Sequence, residues 1–193
     1  MNFLAHALLA EAEPALLVGG IAGDWVKVLL PGNLPPDLAR GVALHRAIDS
    51  HAETHPAFCA SRRRISAERR RYAGVLVDIF YDHCLARTWN VRHPVPLATF
   101  AATAYREIAA RTADLPEGMG LALEYMVRED WLSSYADIEY VATTLGRMSR
   151  RLRRANPLVG AEAEFMRDGE AFAADFEDWL SGAHEFVRHW MSE

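Results

Sequence analysis

The sequence predicts an all-α chain folded as a single-domain helical bundle, and three observations carry that prediction. Ala, Leu, Arg and Glu dominate, and apolar residues recur three and four positions apart. Sustained period-two alternation is absent and β-branched residues are thin. At 193 residues, 51% of them hydrophobic, the chain has the size of one large domain over 1–193 and the means to bury a core. No internal repeat, low-complexity segment or linker interrupts it.

Proline and glycine punctuate the helices. The first is predicted over about 2–12, where NFLAHALLA is apolar and lacks a basic lead-in. His6, Glu11 and Glu13 interrupt it, so it reads as a core helix and not a signal peptide. A shorter helix is predicted over about 20–29, around Asp24 and Trp25. Pro36 suits the first turn of the next, to about residue 53, and a short one follows Pro56. A long helix is predicted over about 66–89, then others over about 96–112 and 117–133. The last two are predicted over about 137–154 and 160–190.

Composition excludes several classes. A net charge of −5 and a pI near 5.9 argue against a general nucleic-acid binder. No run of 18 or more apolar residues exists, so no membrane span is expected. The two cysteines, Cys59 and Cys84, lack a CxxC partner and read as reduced thiols, in keeping with a cytoplasmic location. The GxSxG elbow, the Walker A loop, GxGxxG and the ExxH pattern of di-iron bundles are all missing.

The chemistry lies in ionisable residues set among apolar ones. Asp78 and Asp82 are four apart in YAGVLVDIFYDHCLARTW, on one face of a helix apolar all round. Two buried carboxylates repel unless something positive lies between them. GVALHRAIDSH offers a second i,i+4 pair, His45 and Asp49, on another helix. His6, Asp24 and His83 complete a mixed nitrogen and oxygen set suited to Mn²⁺, Mg²⁺ or Fe²⁺. Each residue alone has an ordinary structural reading, as a cap, a core histidine or an ion pair. Two such pairs on different helices favour a site.

NFLAH at 2–6, GDWVKV at 23–28, GVALHRAID at 41–49, DIFYDHCLARTW at 78–89 and LGRMSRRLRR at 145–154 resemble the acyl carrier protein phosphodiesterase family. The family is similar to the wider HD-type metal phosphohydrolases. The resemblance implies an HD-like all-α fold and a divalent metal, Mn²⁺ first. It also implies hydrolysis of the phosphodiester joining 4′-phosphopantetheine to a serine of acyl carrier protein. Carried over by position, it implies Asp24, His45, Asp49, Asp78 and Asp82 as metal-site residues, with His6 and His83 as ligands or supporting groups. One departure stands out: Glu53 occupies a place, eight residues after His45, where several members have aspartate.

On this reading Lys27 or Arg46 neutralises charge on the phosphoryl oxygens, and His83 or His6 protonates the leaving alkoxide. Arg147, Arg150, Arg151 and Arg154 share one face at helical spacing and suit docking of an acidic carrier protein. Two rivals are open to the sequence. One is an HD-type phosphohydrolase acting on a nucleotide or another small phosphoester. The other is a non-enzymatic scaffold whose buried charges form a salt-bridge network.

Overall fold

The computed structural model describes residues 3–192. These residues form ten α-helices, and no strand occurs among them. In chain order they are α1 (Phe3–Leu9), α2 (Pro14–Ala22), α3 (Pro36–Thr54), α4 (Pro56–Arg64) and α5 (Ala73–Arg92). They continue with α6 (Leu97–Ala110), α7 (Met119–Arg128), α8 (Trp131–Ser134), α9 (Ile138–Arg151) and α10 (Glu162–Ser192). The all-α expectation holds. No helix of the described residues is long and apolar enough to cross a membrane.

Proline starts α2, α3 and α4, where its missing N–H costs no intrahelical hydrogen bond. Helix α5 is the central element: Leu76, Val77, Ile79, Phe80, Leu85 and Trp89 on it are all buried. It packs against α1, α4, α9 and α10. Burial of such side chains stabilises by roughly 1.5–3 kcal/mol each. The seam with α10 is aromatic, with ring centroids 5.3 Å apart for Phe80 and Phe172 and for Tyr81 and Trp179.

Helices α2 and α3 cross closely because both carry glycine at the contact. A Cβ on Gly19 would lie 2.6 Å from the Gly41 Cα. That crossing sets α3, and with it His45 and Asp49, against the end of α2.

The structure corrects four expected boundaries. The helix expected over 20–29 starts earlier, at Pro14, and ends at Ala22. One 3-10 turn, Gly23–Trp25, follows, and the proline-rich stretch beyond it runs as a loop to Pro35. Residues 67–72 form a 3-10 turn, so the long central helix begins only at Ala73. The helix expected over 117–133 breaks at Asp130, whose backbone is left-handed at φ 42. Helix α9 ends at Arg151, so Arg154 lies in the following loop and off the helical face it was expected to share.

Candidate metal centre

Three helical elements bring the donors together. Helix α1 carries His6, and α3 carries His45 and Asp49 one turn apart. The 3-10 turn after α2 brings Asp24. One ligand atom each from His6, His45 and Asp49 lies within 4.8 Å of the others. The two imidazoles stack at 4.0 Å between ring centroids. His6 Nε2 is 3.1 Å from Asp49 Oδ1, and His45 Nε2 is 3.2 Å from Asp49 Oδ2. His45 Nε2 is also 3.9 Å from Asp24 Oδ1.

Local structure explains why His45 points this way. Its Nδ1 lies 2.7 Å from the Gly20 carbonyl, which can only accept, so Nδ1 carries the proton. Gly23 leaves room for the ring: a Cβ there would lie 2.3 Å from His45 Cγ. The tautomer is therefore fixed by the fold. In the neutral ring Nε2 is a bare lone pair, and it faces carboxylate oxygens. Acceptor against acceptor is repulsive unless a cation sits between them, either a second ring proton or a metal ion.

Burial sharpens this polarity. His6 and His45 are buried, whereas Asp49 is half exposed and opens the site to solvent. Burial, helped by the neighbouring His45, pulls His6 down to about 4, so its ring is neutral at pH 7. His6 Nδ1 is buried with no hydrogen-bond partner among the described residues, so no protein group there fixes the tautomer of this ring. Burial acts to raise Asp49, but its contacts with the His45 and His6 nitrogens outweigh it and hold the acid well below its usual range. A neutral imidazole at His6 and an ionised carboxylate at Asp49 are the protonation states a divalent ion requires.

The other expected residues divide. Asp78 is partly exposed, and burial raises its pKa, as do Asp49 and Asp24 nearby; it borders the cluster. Asp82 is fully buried, and its two oxygens accept from the Leu4 and Ala5 amides at 3.0 and 2.9 Å. It caps α1 and so fixes the backbone directly before His6. Burial pushes Asp82 up to about 8, against the pull of those two amides.

His83 is not brought to the cluster. Its Nδ1 donates to the Tyr135 carbonyl at 2.7 Å, and its ring meets Phe165 edge-on. With Cys84, Arg87 and Phe176 it lines a cavity of about 910 Å³ between α5 and α10. Helical rotation puts Arg87 ~180° round α5 from Asp78, so this cavity opens on the other side of the helix. Arg46 donates to the Val26 and Val28 carbonyls at 2.9 and 2.8 Å, so its guanidinium clasps the loop after Asp24. Lys27 is exposed on that loop. Glu53 turns away to pair with Arg62 on α4.

On α9, Arg147 pairs with Glu129, while Arg150 and Arg151 are exposed. Sequence reasoning missed the aromatic surround of the site. Phe3 stacks on Trp25 at 5.6 Å and on Trp131 at 6.2 Å. Only the closeness of Phe3 to His6 and of Trp25 to Asp24 in the sequence hinted at it.

A model of the acyl carrier protein phosphodiesterase family matches residues 1–182. Curated proteins named acyl carrier protein phosphodiesterase are similar along most of the chain. The one from Photorhabdus laumondii is 33% identical over 178 residues, covering 92% of this chain and 88% of its own length. The one from Pectobacterium atrosepticum is 34% identical over 162 residues, covering 83% and 84%. The one from Salmonella dublin is 33% identical over 159 residues, covering 82% of each. No solved structure matches, so the HD-like packing stays an expectation. The chain belongs to the acyl carrier protein phosphodiesterase family.

Proposed function

We propose that this protein is a metal-dependent hydrolase that cleaves the phosphodiester between 4′-phosphopantetheine and a serine of holo-acyl carrier protein. Water adds to phosphorus, the bond to the serine oxygen breaks and that oxygen takes a proton. The products are apo-carrier protein and 4′-phosphopantetheine. The observation that carries the metal is the His45 lone pair, locked by Gly20 against the Asp49 carboxylate.

His6, His45 and Asp49 would hold the ion, with Asp24 and Asp78 beside them. When bound, the ion supplies the Lewis acidity that activates water and shields phosphoryl charge. The nitrogen and oxygen donors suit Mn²⁺, with Mg²⁺ and Fe²⁺ as the alternatives. Asp82 acts by position: it caps α1 and holds the His6 backbone in place. Arg46 also acts by position, because its donors are engaged by the loop carbonyls. The loop it clasps presents Lys27, which is free to reach the phosphoryl oxygens. His6 serves the ion in preference to donating a proton, since its ring is neutral. His83 takes no part, because its ring faces the far cavity.

The exposed Arg150 and Arg151, with Arg147 beside them and Arg154 in the adjoining loop, offer a basic face to an acidic carrier. A cytoplasmic location fits a carrier-protein substrate. The test is to incubate holo-carrier protein with the protein and Mn²⁺ and to follow the carrier by mass. Loss of the phosphopantetheine arm, prevented by chelation, supports the reading. An intact arm, or faster turnover of a nucleotide in a parallel panel, contradicts it.

A further inference from the structure

Resting on that reading, we infer that Arg62 is a phosphate-binding residue of the metal centre, and that Glu53 holds its guanidinium at the rim until substrate takes the place of the carboxylate. Glu53 lies one turn after Asp49 on α3, and Gly74 lies one turn before Asp78 on α5. Asp78 is near enough to Asp49 for their charges to interact. Glu53 Oε1 in turn is 3.8 Å from the position a Cβ on Gly74 would take. The two helices therefore face each other at two levels. Asp49 and Asp78 form one, and Glu53 and Gly74 form the next. Arg62, from α4, closes the second level by donating from Nη1 to Glu53 Oε2. One helical turn, about 5.4 Å, separates the levels. A phosphoryl group spans such a gap, with one oxygen toward the donors and another toward the guanidinium.

The surroundings of Arg62 set it apart from its neighbours. Arg64 is held by Asp175, and Arg69 by Glu164 and the Pro157 carbonyl. Those two carboxylates are largely buried, and their arginines tie the fold together. The Arg62 and Glu53 side chains are instead 38% and 58% exposed. Ion pairs in that setting are weak, because water competes for both partners. A phosphodiester carries two non-bridging oxygens, which a planar guanidinium can grip together. Arg62 Nη2 and Nε make no hydrogen bond among the described residues, so donors for the second oxygen are already available. Arg46 cannot serve in this way, since the Val26 and Val28 carbonyls engage it.

Inorganic phosphate titrated into the Mn²⁺-loaded protein, followed by calorimetry, tests this apart from turnover. Arg62→Ala should keep Mn²⁺ uptake and bind phosphate at least about tenfold more weakly. Added guanidinium ion should restore part of that loss. Glu53→Gln should move the other way and bind phosphate severalfold more tightly, because no carboxylate then competes for the guanidinium. In the double variant that gain should vanish, since Glu53 acts through Arg62. The kcat/KM for holo-carrier should follow the same order. Wild-type phosphate affinity in Arg62→Ala, or equal losses in Arg62→Ala and Glu53→Gln, would overturn the inference and leave a pair that only ties α3 to α4. If Arg62→Ala loses Mn²⁺ uptake, Arg62→Lys decides. It keeps the charge without the fork and should bind phosphate severalfold more weakly; unchanged affinity contradicts the inference. A wild type that binds phosphate when loaded but leaves the carrier intact takes down the hydrolase reading alone, and the phosphate series still decides Arg62.

Discussion

Glu164 at the start of α10 and Asp49 on α3 are carboxylates held by opposite means. Glu164 is buried and accepts from the Ser66 amide at 3.1 Å, from the Ser66 hydroxyl, and from Arg69 and Arg167 at 3.2 and 2.9 Å. Every oxygen meets a donor, and two guanidinium groups balance the charge. Asp49 is half exposed and is met by two imidazoles, one of which presents a lone pair in its neutral form. Among the described residues no arginine or lysine pairs with it. A closed network stabilises the fold by being complete. On the proposed reading the His6, His45 and Asp49 cluster takes a cation, which enters on the half-exposed Asp49 side. On that reading the scaffold rival describes the Glu164 network and not the His–Asp cluster.

Mutations should separate the two. His45→Ala removes a donor, so it should cost more than the ~10–100-fold typical of an outer supporting group, in Mn²⁺ affinity and in turnover of holo-carrier. Metal titration and the mass assay read it. Glu164→Ala should do the reverse. It leaves Arg69 and Arg167 facing a buried gap and should cost about 2–3 kcal/mol in urea unfolding, with Mn²⁺ affinity unchanged.

A pH series sharpens the contrast. Burial lowers His6 from 6.5 to about 4 in the folded protein. The neutral ring is the folded form, so its contribution is fully present above pH 6.5 and is lost as pH falls through about 4. Metal-free protein should lose up to about 3 kcal/mol on acidification across that window. His6→Gln should flatten the loss, and an unchanged profile would remove His6 as its source. The smallest effect expected is at the arginine face. Arg150→Glu with Arg151→Glu should raise KM for carrier protein a few-fold at low ionic strength, and the difference should fade as salt screens it.

Much of this was legible in the sequence. Proline at the first helical turn marked α3 and α4, and the apolar run around Asp78 marked the central helix. The pair His45 and Asp49 was readable because i,i+4 spacing is local. What was not legible is non-local. Asp82 looked like a partner of Asp78 in a metal cradle, yet it is a cap for a helix 77 and 78 residues away in sequence. His83 follows Asp82 directly but is rotated ~100° from it, and so meets Tyr135 and a different cavity. Arg46 looked catalytic, and its use as a loop clasp depends on a turn the sequence presents as helix. Likewise the aromatic row of Phe3, Trp25 and Trp131 draws on three separate elements, which no periodicity links.

The central claim is that the His6, His45 and Asp49 cluster is completed by a divalent ion. Its most direct test is Mn²⁺ titration, followed by paramagnetic resonance, of the wild type and of Asp49→Ala. The account predicts that the wild type takes up Mn²⁺ with imidazole nitrogen in its coordination sphere and melts at a higher temperature when loaded. Asp49→Ala should show neither effect. Equal Mn²⁺ uptake with the same nitrogen signature in Asp49→Ala, or no uptake by the wild type, would contradict it.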